Sequence, residues 1–431
     1  MRIPMKKFRV ALVGLGTVGS GVYKILTHKA GLVKRRAGIA VELAAACDQD
    51  RRAFRRLTVP KKQTVLQYKK LLADSQIDCI VELIGGKGVA RTLILDALKK
   101  GKDVVTANKA LLAEHGDELF AAAKKYGRQI YFEASVGGGI PIIKTLRESL
   151  VGNRITSIFS IINGTANYIL SKMTAEKMGF HDALRLAQEK GYAEADPTFD
   201  VEGTDSAHKI AIMAQLAFEK RFSLKDIPCN GISRIQPCDI AFADEVGYVI
   251  KLLAIAKQTK EGVEVRVQPT LLHKDHILAN VHGSFNAVHV HGDETGDMLL
   301  YGRGAGSRPT ASAVVSDIVD LAKETHSAVP RLPYPLFEPI APKKLINIKS
   351  RYYLRFSAID KPGVLATIAT ALGRESISIS DVMQRERQAG KVVPVVVLTH
   401  EAHEKDLWHA IRRIDRFATI KEKTQVLRIE E

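Results

Sequence analysis

The sequence predicts an α/β protein with three parts: a doubly wound parallel sheet, a mixed α+β domain and a small C-terminal domain of order βαββαβ. Three observations support this prediction. Strands and helices alternate over the first third of the chain, longer amphipathic helices mix with strands from residue 137 onward, and a proline-rich stretch precedes the final segment. The length of 431 residues agrees, because an average domain has roughly 150 residues.

The first domain is predicted at residues 1–133. A glycine-rich turn separates its first strand from a helix at 20–26. Short apolar runs typical of buried strands stand at residues 8–13, 41–47, 77–84 and 103–106. Because strands that alternate with helices form parallel sheets, this part is expected to be doubly wound. A helix at 310–328 is expected to return to it.

The second domain is predicted at residues 134–309. Its amphipathic helices are expected at 140–150 and 181–190, and its strands at 263–269 and 287–291. Five prolines follow within thirteen residues, namely Pro330, Pro333, Pro335, Pro339 and Pro342. Since proline is excluded from helix interiors and central strands, residues 330–349 are predicted to be a linker that separates the tail from both preceding domains.

The third domain is predicted at residues 350–431. Its strands are expected at 352–359, 376–383, 391–399 and 424–429, and its helices at 364–374 and 404–414. The order βαββαβ is that of a ferredoxin-like domain.

Composition excludes several classes of protein. The chain has 46% hydrophobic residues but no apolar run of membrane-spanning length, and residues 1–9 lack the apolar block of a signal peptide. The four cysteines are far apart, without a C-x-x-C pair, at Cys47, Cys79, Cys229 and Cys238. Neither a disulfide framework nor a zinc knuckle is therefore indicated, and we expect a cytoplasmic location.

The net charge of +17 is unevenly distributed. Residues 1–133, 134–339 and 340–431 carry net charges of +14, −3 and +6. A basic first domain attracts nucleic acid or a small phosphorylated ligand, whereas the alternative is a solvated, solubilising face. Charge alone leaves these possibilities open.

A glycine-rich loop follows the first strand and precedes the first helix. Gly14-Leu15-Gly16-Thr17-Val18-Gly19 has the G-x-G-x-x-G spacing of a Rossmann-type dinucleotide site. The first glycine permits the turn, the second admits the pyrophosphate, and the third allows the helix to pack closely on the strand. The next strand ends before Asp48, which suits the ribose of NAD, but Arg51 and Arg52 suit the 2′-phosphate of NADP. The net charge of +14 on the first domain favours NADP, which carries the additional phosphate.

Asp205 and Lys209 are four residues apart on a helix expected to begin near Thr204. This spacing places their side chains on one face, within reach of each other. From the spacing alone, an exposed salt bridge is the favoured interpretation.

Several longer motifs resemble those of homoserine dehydrogenases. Besides the glycine loop, they are Val105-Thr106-Ala107-Asn108-Lys109-Ala110, residues 132–141 (FEASVGGGIP), residues 163–168 (NGTANY), residues 191–197 (GYAEADP), residues 203–209 and residues 301–306 (YGRGAG). Residues 360–365 (DKPGVL) are similar to the start of an ACT domain, an amino-acid-sensing module.

The resemblance implies reversible conversion of L-aspartate 4-semialdehyde into L-homoserine, on the route to threonine, isoleucine and methionine. It assigns Lys209 as proton donor with Asp205 as its partner. The substrate is assigned to Gly191, Glu194, Asp205 and Lys109. The cofactor, NADP or NAD, is assigned to Gly14, Leu15, Gly16, Thr17, Val18, Gly19, Arg51, Thr106, Lys109 and Gly306.

The resemblance also implies a Na⁺ or another monovalent cation at Glu133, Val136, Gly138 and Ile140. Three consecutive glycines free the backbone to direct carbonyls at such an ion. A hinge between domains is the alternative interpretation of the glycines.

The expected partners are a small-molecule substrate and further copies of the chain in a homodimer or homotetramer. Threonine is expected to bind the tail and inhibit the enzyme. A chain cut near Lys343 is expected to remain active and to ignore threonine. Two rival hypotheses are a different Rossmann-type dehydrogenase of an amino-acid aldehyde and a basic, nucleic-acid-binding regulatory protein. Cofactor affinity and a lack of salt-dependent nucleic-acid binding would exclude the second rival.

Overall fold

A computed structural model describes residues 7–325, 327, 334–385 and 389–430. The chain divides into two compact units. Unit 1 contains Met1–Arg154, Ala211–Leu224 and Gly292–Ile340, and unit 2 contains Ile155–Ile210, Lys225–His291 and Ala341–Glu431. The prolines Pro330 and Pro333 of the predicted linker lie outside the described residues.

The first part of the chain contains, in order, β1 (Lys7–Val13), α1 (Thr17–His28), α2 (Ala30–Ala37), β2 (Ala40–Cys47), α3 (Arg51–Arg56), β3 (Thr64–Val65), α4 (Tyr68–Ala73), β4 (Cys79–Glu82), α5 (Gly88–Lys99), β5 (Asp103–Thr106), α6 (Lys109–Tyr126), β6 (Ile130–Tyr131) and α7 (Ile142–Lys144). The middle part contains β7 (Ile155–Ile161), α8 (Gly164–Glu176), α9 (Phe180–Glu189), α10 (Thr198–Val201), α11 (Thr204–Phe218), β8 (Lys220–Arg221), α12 (Pro237–Glu245), β9 (Tyr248–Thr259), β10 (Gly262–His273), β11 (Phe285–Gly292), β12 (Gly296–Arg303) and α13 (Ser307–Thr325). The last part contains β13 (Glu338–Pro339), β14 (Lys349–Ile359), α14 (Val364–Arg374), β15 (Ile379–Gln384), β16 (Val392–Thr399), β17 (Ala402–His403), α15 (Glu404–Ile414) and β18 (Gln425–Glu430).

Unit 1 is built on a parallel sheet with strand order β3-β2-β1-β4-β5-β6. This is the doubly wound sheet that the alternating pattern predicts. Helix α13 also belongs to this unit and packs closely on α1, because a Cβ on Gly21 would lie 2.6 Å from the carbonyl oxygen of Ser307. The central strands and these two helices share one apolar core, which includes Leu12, Val22 and Val314.

Helix α7 is shorter than the sequence suggests. The apolar spacing predicts a helix at 140–150, whereas α7 begins at Ile142 and continues as a π-helical turn from Thr145 to Ser149. Pro141 precedes the helix, where its missing N–H costs nothing.

The strands of unit 2 form one continuous sheet in the order β11-β7-β9-β10-β18-β14-β16-β15. The tail has the predicted βαββαβ order, with the short β17 added, and helices α14 and α15 share its apolar core. Among the helices that the structure describes, none has both the length and the apolar character needed to cross a membrane.

The linker prediction expected the tail to be separate from the preceding domain. The structure contradicts this expectation. Strand β18 runs parallel to β10, with Thr270 opposite Arg428 and Leu272 opposite Glu430. Arg266 of β10 is 1% exposed and forms ion pairs with Glu430 and, at 2.6 Å, with Glu264. Prolines disfavour regular structure within a segment, although the short β13 includes Pro339, and they do not prevent the strand that follows from pairing with a distant one.

The paired strands bear on the expectation that a chain cut near Lys343 stays active, which remains a prediction. Removing residues 344–431 would expose the edge of β10 and leave the buried guanidinium of Arg266 without Glu430. Glu264 remains 2.6 Å from Arg266, so the truncation removes one of its two carboxylate partners and costs less than the ~3–5 kcal/mol typical of a buried charge left unpaired. We therefore expect this truncation to destabilise unit 2, so the role of the tail has to be tested in the full-length chain.

Lys251 gives unit 2 a predictable pH dependence. This side chain on β9 is 4% exposed, its Nζ donates to the carbonyl of Val281 at 2.6 Å, and burial lowers its pKa to about 8. Between pH 8 and about 10.4 the unfolded chain keeps the proton that the folded chain has lost, so the free energy of unfolding rises with pH in this window.

Lys251→Met is expected to abolish that rise, which amounts to about 1.4 kcal/mol per pH unit. Urea unfolding at pH 7.5 and pH 10, for wild type and variant, measures the difference between them. Lys260→Met, at an exposed position in the turn between β9 and β10, serves as the control and should behave as wild type. Parallel pH curves for wild type and Lys251→Met would refute the assignment.

Candidate functional site

The glycine loop of unit 1 has the geometry that each of its glycines was expected to provide. Gly14 has a φ of +100°, and its N–H donates to the carbonyl of Cys47 at 2.9 Å. A Cβ on Gly19 would lie 1.9 Å from the carbonyl oxygen of Gly14. A Cβ on Gly16, by contrast, would meet nothing within 4 Å. The space beside Gly16 is therefore open, as a pyrophosphate requires.

Asp48 supports the loop from the end of β2. Its carboxylate accepts the N–H of Leu15 at 2.6 Å and the N–H of Asp50 at 2.8 Å, so both of its oxygens are engaged by the backbone. Arg51 and Arg52 begin α3 and are exposed. Arg56, one helical turn further, donates to the carbonyl of Leu15 at 3.1 Å.

The predicted Thr106 and Lys109 stand at the carboxyl end of β5. The Thr106 hydroxyl donates to Glu82 at 2.6 Å, and Lys109 is the first residue of α6, whose N-cap is Asn108. Glu82 ends the neighbouring β4 and is fully buried. It also accepts the N–H groups of Ile84 and Gly85 at 2.9 and 3.0 Å, and burial raises its pKa. The two strand ends are thus joined at the edge of the sheet where ligands of this fold bind.

The second glycine-rich loop lies beside the first. Gly306 has a φ of +117°, and the hydroxyl of the next residue, Ser307, donates to the carbonyl of Thr17 at 2.7 Å. A Cβ on Gly138 would lie 2.5 Å from the carbonyl oxygen of Gly304. Unit 1 therefore contains all the residues predicted to bind the cofactor. They lie in or beside the two glycine-rich loops and at the carboxyl end of β5.

Lys209 and Asp205 form a buried ion pair in unit 2. Lys209 is 7% exposed and Asp205 is 2% exposed, and Nζ lies 2.6 Å from Oδ2. Nζ also donates to the carbonyl of Ile162, the residue after β7, at 2.8 Å. The exposed salt bridge that the spacing alone favoured is wrong, because the pair is buried.

Asn163 organises this pair, and the sequence reasoning missed its role. Its Nδ2 donates to Asp205 at 2.9 Å and to Asp200 at 2.7 Å, and its Oδ1 accepts the N–H of Ala166 as the N-cap of α8. Asn163 is 5% exposed. An asparagine between a strand and a helix predicts that its side chain caps the helix. It does not predict that the same side chain binds Asp200 and Asp205.

The predicted substrate residues Gly191 and Glu194 lie on an exposed segment between α9 and α10. Gly191 has a φ of +70° and follows α9. The segment is tied to the start of α8, because the hydroxyl of Thr165 donates to the carbonyl of Tyr192 at 2.7 Å. Asn163 and Thr165 thus link this segment to the Lys209 pair through one helix end.

Some of the oxygens predicted to bind the cation are already engaged in hydrogen bonds within the protein. Both carboxylate oxygens of Glu133 accept backbone N–H groups, from Ile143 at 2.9 Å and Lys144 at 2.7 Å, so an ion would rely on backbone carbonyls. The carbonyl of Ile140 already accepts the N–H of Ile142 at 2.8 Å.

The charges around this site favour a cation. Burial raises the pKa of Glu133 to about 7, and burial raises the pKa of Asp317, whose carboxylate accepts the Glu133 N–H at 2.9 Å. A nearby cation would offset the cost of burying these two acids. Gly138, with a φ of +57°, leaves the intervening backbone free to turn.

Comparison with known families is consistent across the whole chain. The family model for the homoserine dehydrogenase NAD-binding domain matches residues 14–133, that for homoserine dehydrogenase matches 141–319, and that for the ACT domain matches 352–418. A homoserine dehydrogenase of Neisseria gonorrhoeae is 43% identical over 432 residues, covering 99% of each chain.

Solved structures agree with these matches. A crystal structure of a homoserine dehydrogenase from Thiobacillus denitrificans has a TM-score of 0.91 at 42% identity and covers 99% of each chain. A hyperthermophilic archaeal homoserine dehydrogenase in complex with NADPH has a TM-score of 0.63 at 26% identity, with 74% of this chain and 98% of that chain covered.

Proposed function

The chain belongs to the homoserine dehydrogenase family, and on that premise we propose that it interconverts L-aspartate 4-semialdehyde and L-homoserine with NADP as preferred cofactor, for the synthesis of threonine, isoleucine and methionine. The observation that supports this most directly is the buried Lys209, held at 2.6 Å by Asp205. A buried ammonium oriented by one carboxylate is a group that can deliver a proton at a fixed position.

The bound nicotinamide supplies a hydride to the aldehyde carbon. Lys209 gives a proton to the aldehyde oxygen, so the aldehyde becomes the alcohol, and the neutral amine that remains regains a proton from water. Asp205 holds the ammonium in place and stabilises its charge, and Asn163 fixes the orientation of Asp205. Glu194 is assigned to the ammonium group of the substrate, since a carboxylate and an ammonium form a charge-assisted hydrogen bond. Lys109 is assigned to the substrate and the nicotinamide.

A spectrophotometric assay tests the reaction. Full-length protein with L-homoserine and NADP⁺ is expected to increase absorbance at the reduced nicotinamide band, with a higher kcat/KM than with NAD⁺. Oxidation of other amino-acid alcohols, but not of homoserine, would favour a different dehydrogenase of the same fold. Lack of turnover together with salt-dependent binding to nucleic acid would favour the regulatory hypothesis.

The preference for NADP is inferred from the end of β2. Both oxygens of Asp48 are engaged by the backbone, whereas Arg51 and Arg52 are exposed beside the glycine loop. An arginine recognises a phosphate through charge-assisted hydrogen bonds, which are worth about 1.5–3 kcal/mol.

Arg51→Gln is therefore expected to raise the KM for NADPH by about 10- to 100-fold and to leave the KM for NADH unchanged. Arg35→Gln, at another exposed position of unit 1, is the control for a general loss of positive charge. Equal effects on both cofactors would remove Arg51 from phosphate recognition.

The cation, if bound, would be held mainly by the backbone carbonyls of Val136 and Gly138. It would supply a positive charge near two buried acids and fix the backbone that approaches Gly304. The predicted ligands Glu133 and Ile140 fit less well, because their carbonyls already accept the N–H groups of Val136 and Ile142.

Threonine is proposed as the effector of the tail. Gly363 has a φ of +87° and is the N-cap of α14, so the first N–H groups of this helix begin at an open turn where a carboxylate can dock. Inhibition requires that threonine bind an inactive arrangement better than the active one, typically by about 1–3 kcal/mol. A homodimer or homotetramer is the assembly in which we expect this to occur.

Threonine is expected to inhibit the full-length enzyme in a saturable way, while L-serine at the same concentration has a weaker effect. Initial rates at several threonine concentrations measure this. Uninhibited rates at millimolar threonine would refute the effector while leaving the dehydrogenase assignment intact.

A further inference from the structure

Three side chains suited to metal binding meet on the surface of the tail, apart from the residues assigned to catalysis. They are Glu375, which follows α14, and Asp406 and His409 on α15. One ligand atom from each lies within 4.8 Å of the other two. Within the part of the chain that the structure describes, no other set of three such residues has this geometry.

The local structure holds these side chains in place. Helix α14 ends at Arg374, and Ser376 with a φ of +57° donates to the carbonyl of Gly373 at 3.0 Å, which fixes the backbone around Glu375. Asp406 and His409 are three residues apart on a helix and therefore lie on the same face. Both helices are anchored by apolar side chains in the core of the tail.

The distances suit a metal with short ligand bonds. Nδ1 of His409 lies 3.8 Å from the nearer carboxylate oxygen of Glu375. Ligands that each lie about 2.0–2.2 Å from one ion are separated by roughly 3–4 Å, so small rotations of these side chains would complete the site. No change of the backbone is required.

The donor set selects the class of metal. One imidazole and two carboxylates suit Zn²⁺, Ni²⁺ or Co²⁺, whereas Mg²⁺ and Ca²⁺ prefer oxygen ligands alone. Three protein ligands leave at least one position for water, as in open zinc sites. His409 is exposed and lines a surface pocket, so water can reach a metal bound to it.

Charges around the site have opposing effects. The two carboxylates and the carbonyl end of α14 attract a cation. Arg412, Arg413 and Arg416 line the same pocket as His409 and oppose it, and salt screens charges this close only in part, because the Debye length is about 10 Å at 0.1 M ionic strength. The affinity should therefore be lower than that of a closed structural zinc site.

We propose that Glu375, Asp406 and His409 form a divalent metal site of the Zn²⁺ class that joins the end of α14 to α15. The proposal does not depend on the dehydrogenase reaction, because its ligands lie in the tail and its readout is optical. It would give the sensing domain a second kind of ligand besides an amino acid.

The only tryptophan of the chain, Trp408, reports on this site because it precedes His409. Its side chain is 36% exposed, and its indole N–H donates to Glu404 at 3.0 Å. Untagged full-length protein, dialysed against a chelator, is titrated with Ni²⁺ while tryptophan emission is recorded. We expect saturable quenching with one equivalent bound, reversed by an excess of Zn²⁺, which competes but does not quench.

Matched variants decide the outcome. His409→Ala should abolish the saturable quenching, Glu375→Gln should weaken the apparent affinity at least tenfold, and His400→Ala, at an exposed position of the tail, should leave it unchanged. Circular dichroism and the melting temperature confirm that each variant is folded. Emission that does not saturate in wild type, or saturable quenching that persists in His409→Ala, would overturn the proposal.

Discussion

Lys209→Ala is expected to lower kcat by about 100-fold or more and to leave the affinity for the dinucleotide unchanged. The proposed role of this residue is to deliver a proton to the substrate oxygen, and the loss of a general acid typically costs two to four orders of magnitude in rate. The dinucleotide binds residues of unit 1 in the proposed site, so its Kd, measured by fluorescence of the reduced cofactor, should not change.

Two further variants make this result specific. Lys225→Ala removes an exposed lysine from the same unit and should keep wild-type kcat. Asp205→Asn should lose activity to an extent comparable with Lys209→Ala, because an amide does not stabilise the ammonium as a carboxylate does. Near-normal turnover of Lys209→Ala would remove this lysine from the mechanism, whatever the result for Asp205.

Gly16→Val is expected to abolish dinucleotide binding without unfolding the protein. A Cβ at this position would meet nothing within 4 Å and Gly16 has a φ of −66°, so the folded chain accommodates a side chain. The added methyl groups would instead fill the space that the pyrophosphate requires. Titration with NADPH should therefore show no saturation, while circular dichroism and the melting temperature stay close to wild type.

Two other glycines provide the contrast. Gly31→Val, in α2, should bind the cofactor normally, because it has only one ordinary contact and lies outside the loop. Gly19→Ala should destabilise unit 1, because its Cβ would collide with the carbonyl of Gly14. Normal NADPH affinity in Gly16→Val would mean that the loop is only a turn.

The parallel sheet and the tail were predictable because local patterns determine them. The strand predicted at 103–106 is the observed β5. The strand predicted at 77–84 is also present, although β4 is shorter, from Cys79 to Glu82. The order βαββαβ followed from apolar runs and from a single turn before α14. Such features depend on neighbours a few residues apart.

Features that depend on distant residues were not predictable. Pairing of β18 with β10 joins residues more than 150 positions apart, and no local pattern marks either strand as the other's neighbour. The same applies to Asn163, whose acidic partners stand 37 and 42 residues later in the chain. Burial of the Lys209 pair also escaped prediction, because i,i+4 spacing is identical on a buried and an exposed face.

The strand at the end of the chain imposes an order on biosynthesis. Strand β10 is complete at His273, but its partner β18 begins only at Gln425, so about 150 further residues must be made first. At about 5–20 residues per second, one edge of β10 stays open for roughly 10–30 seconds on the ribosome, with Arg266 awaiting Glu430. An open strand edge is a template for wrong pairing. We therefore expect nascent chains stalled before residue 425 to aggregate more readily than the full-length chain.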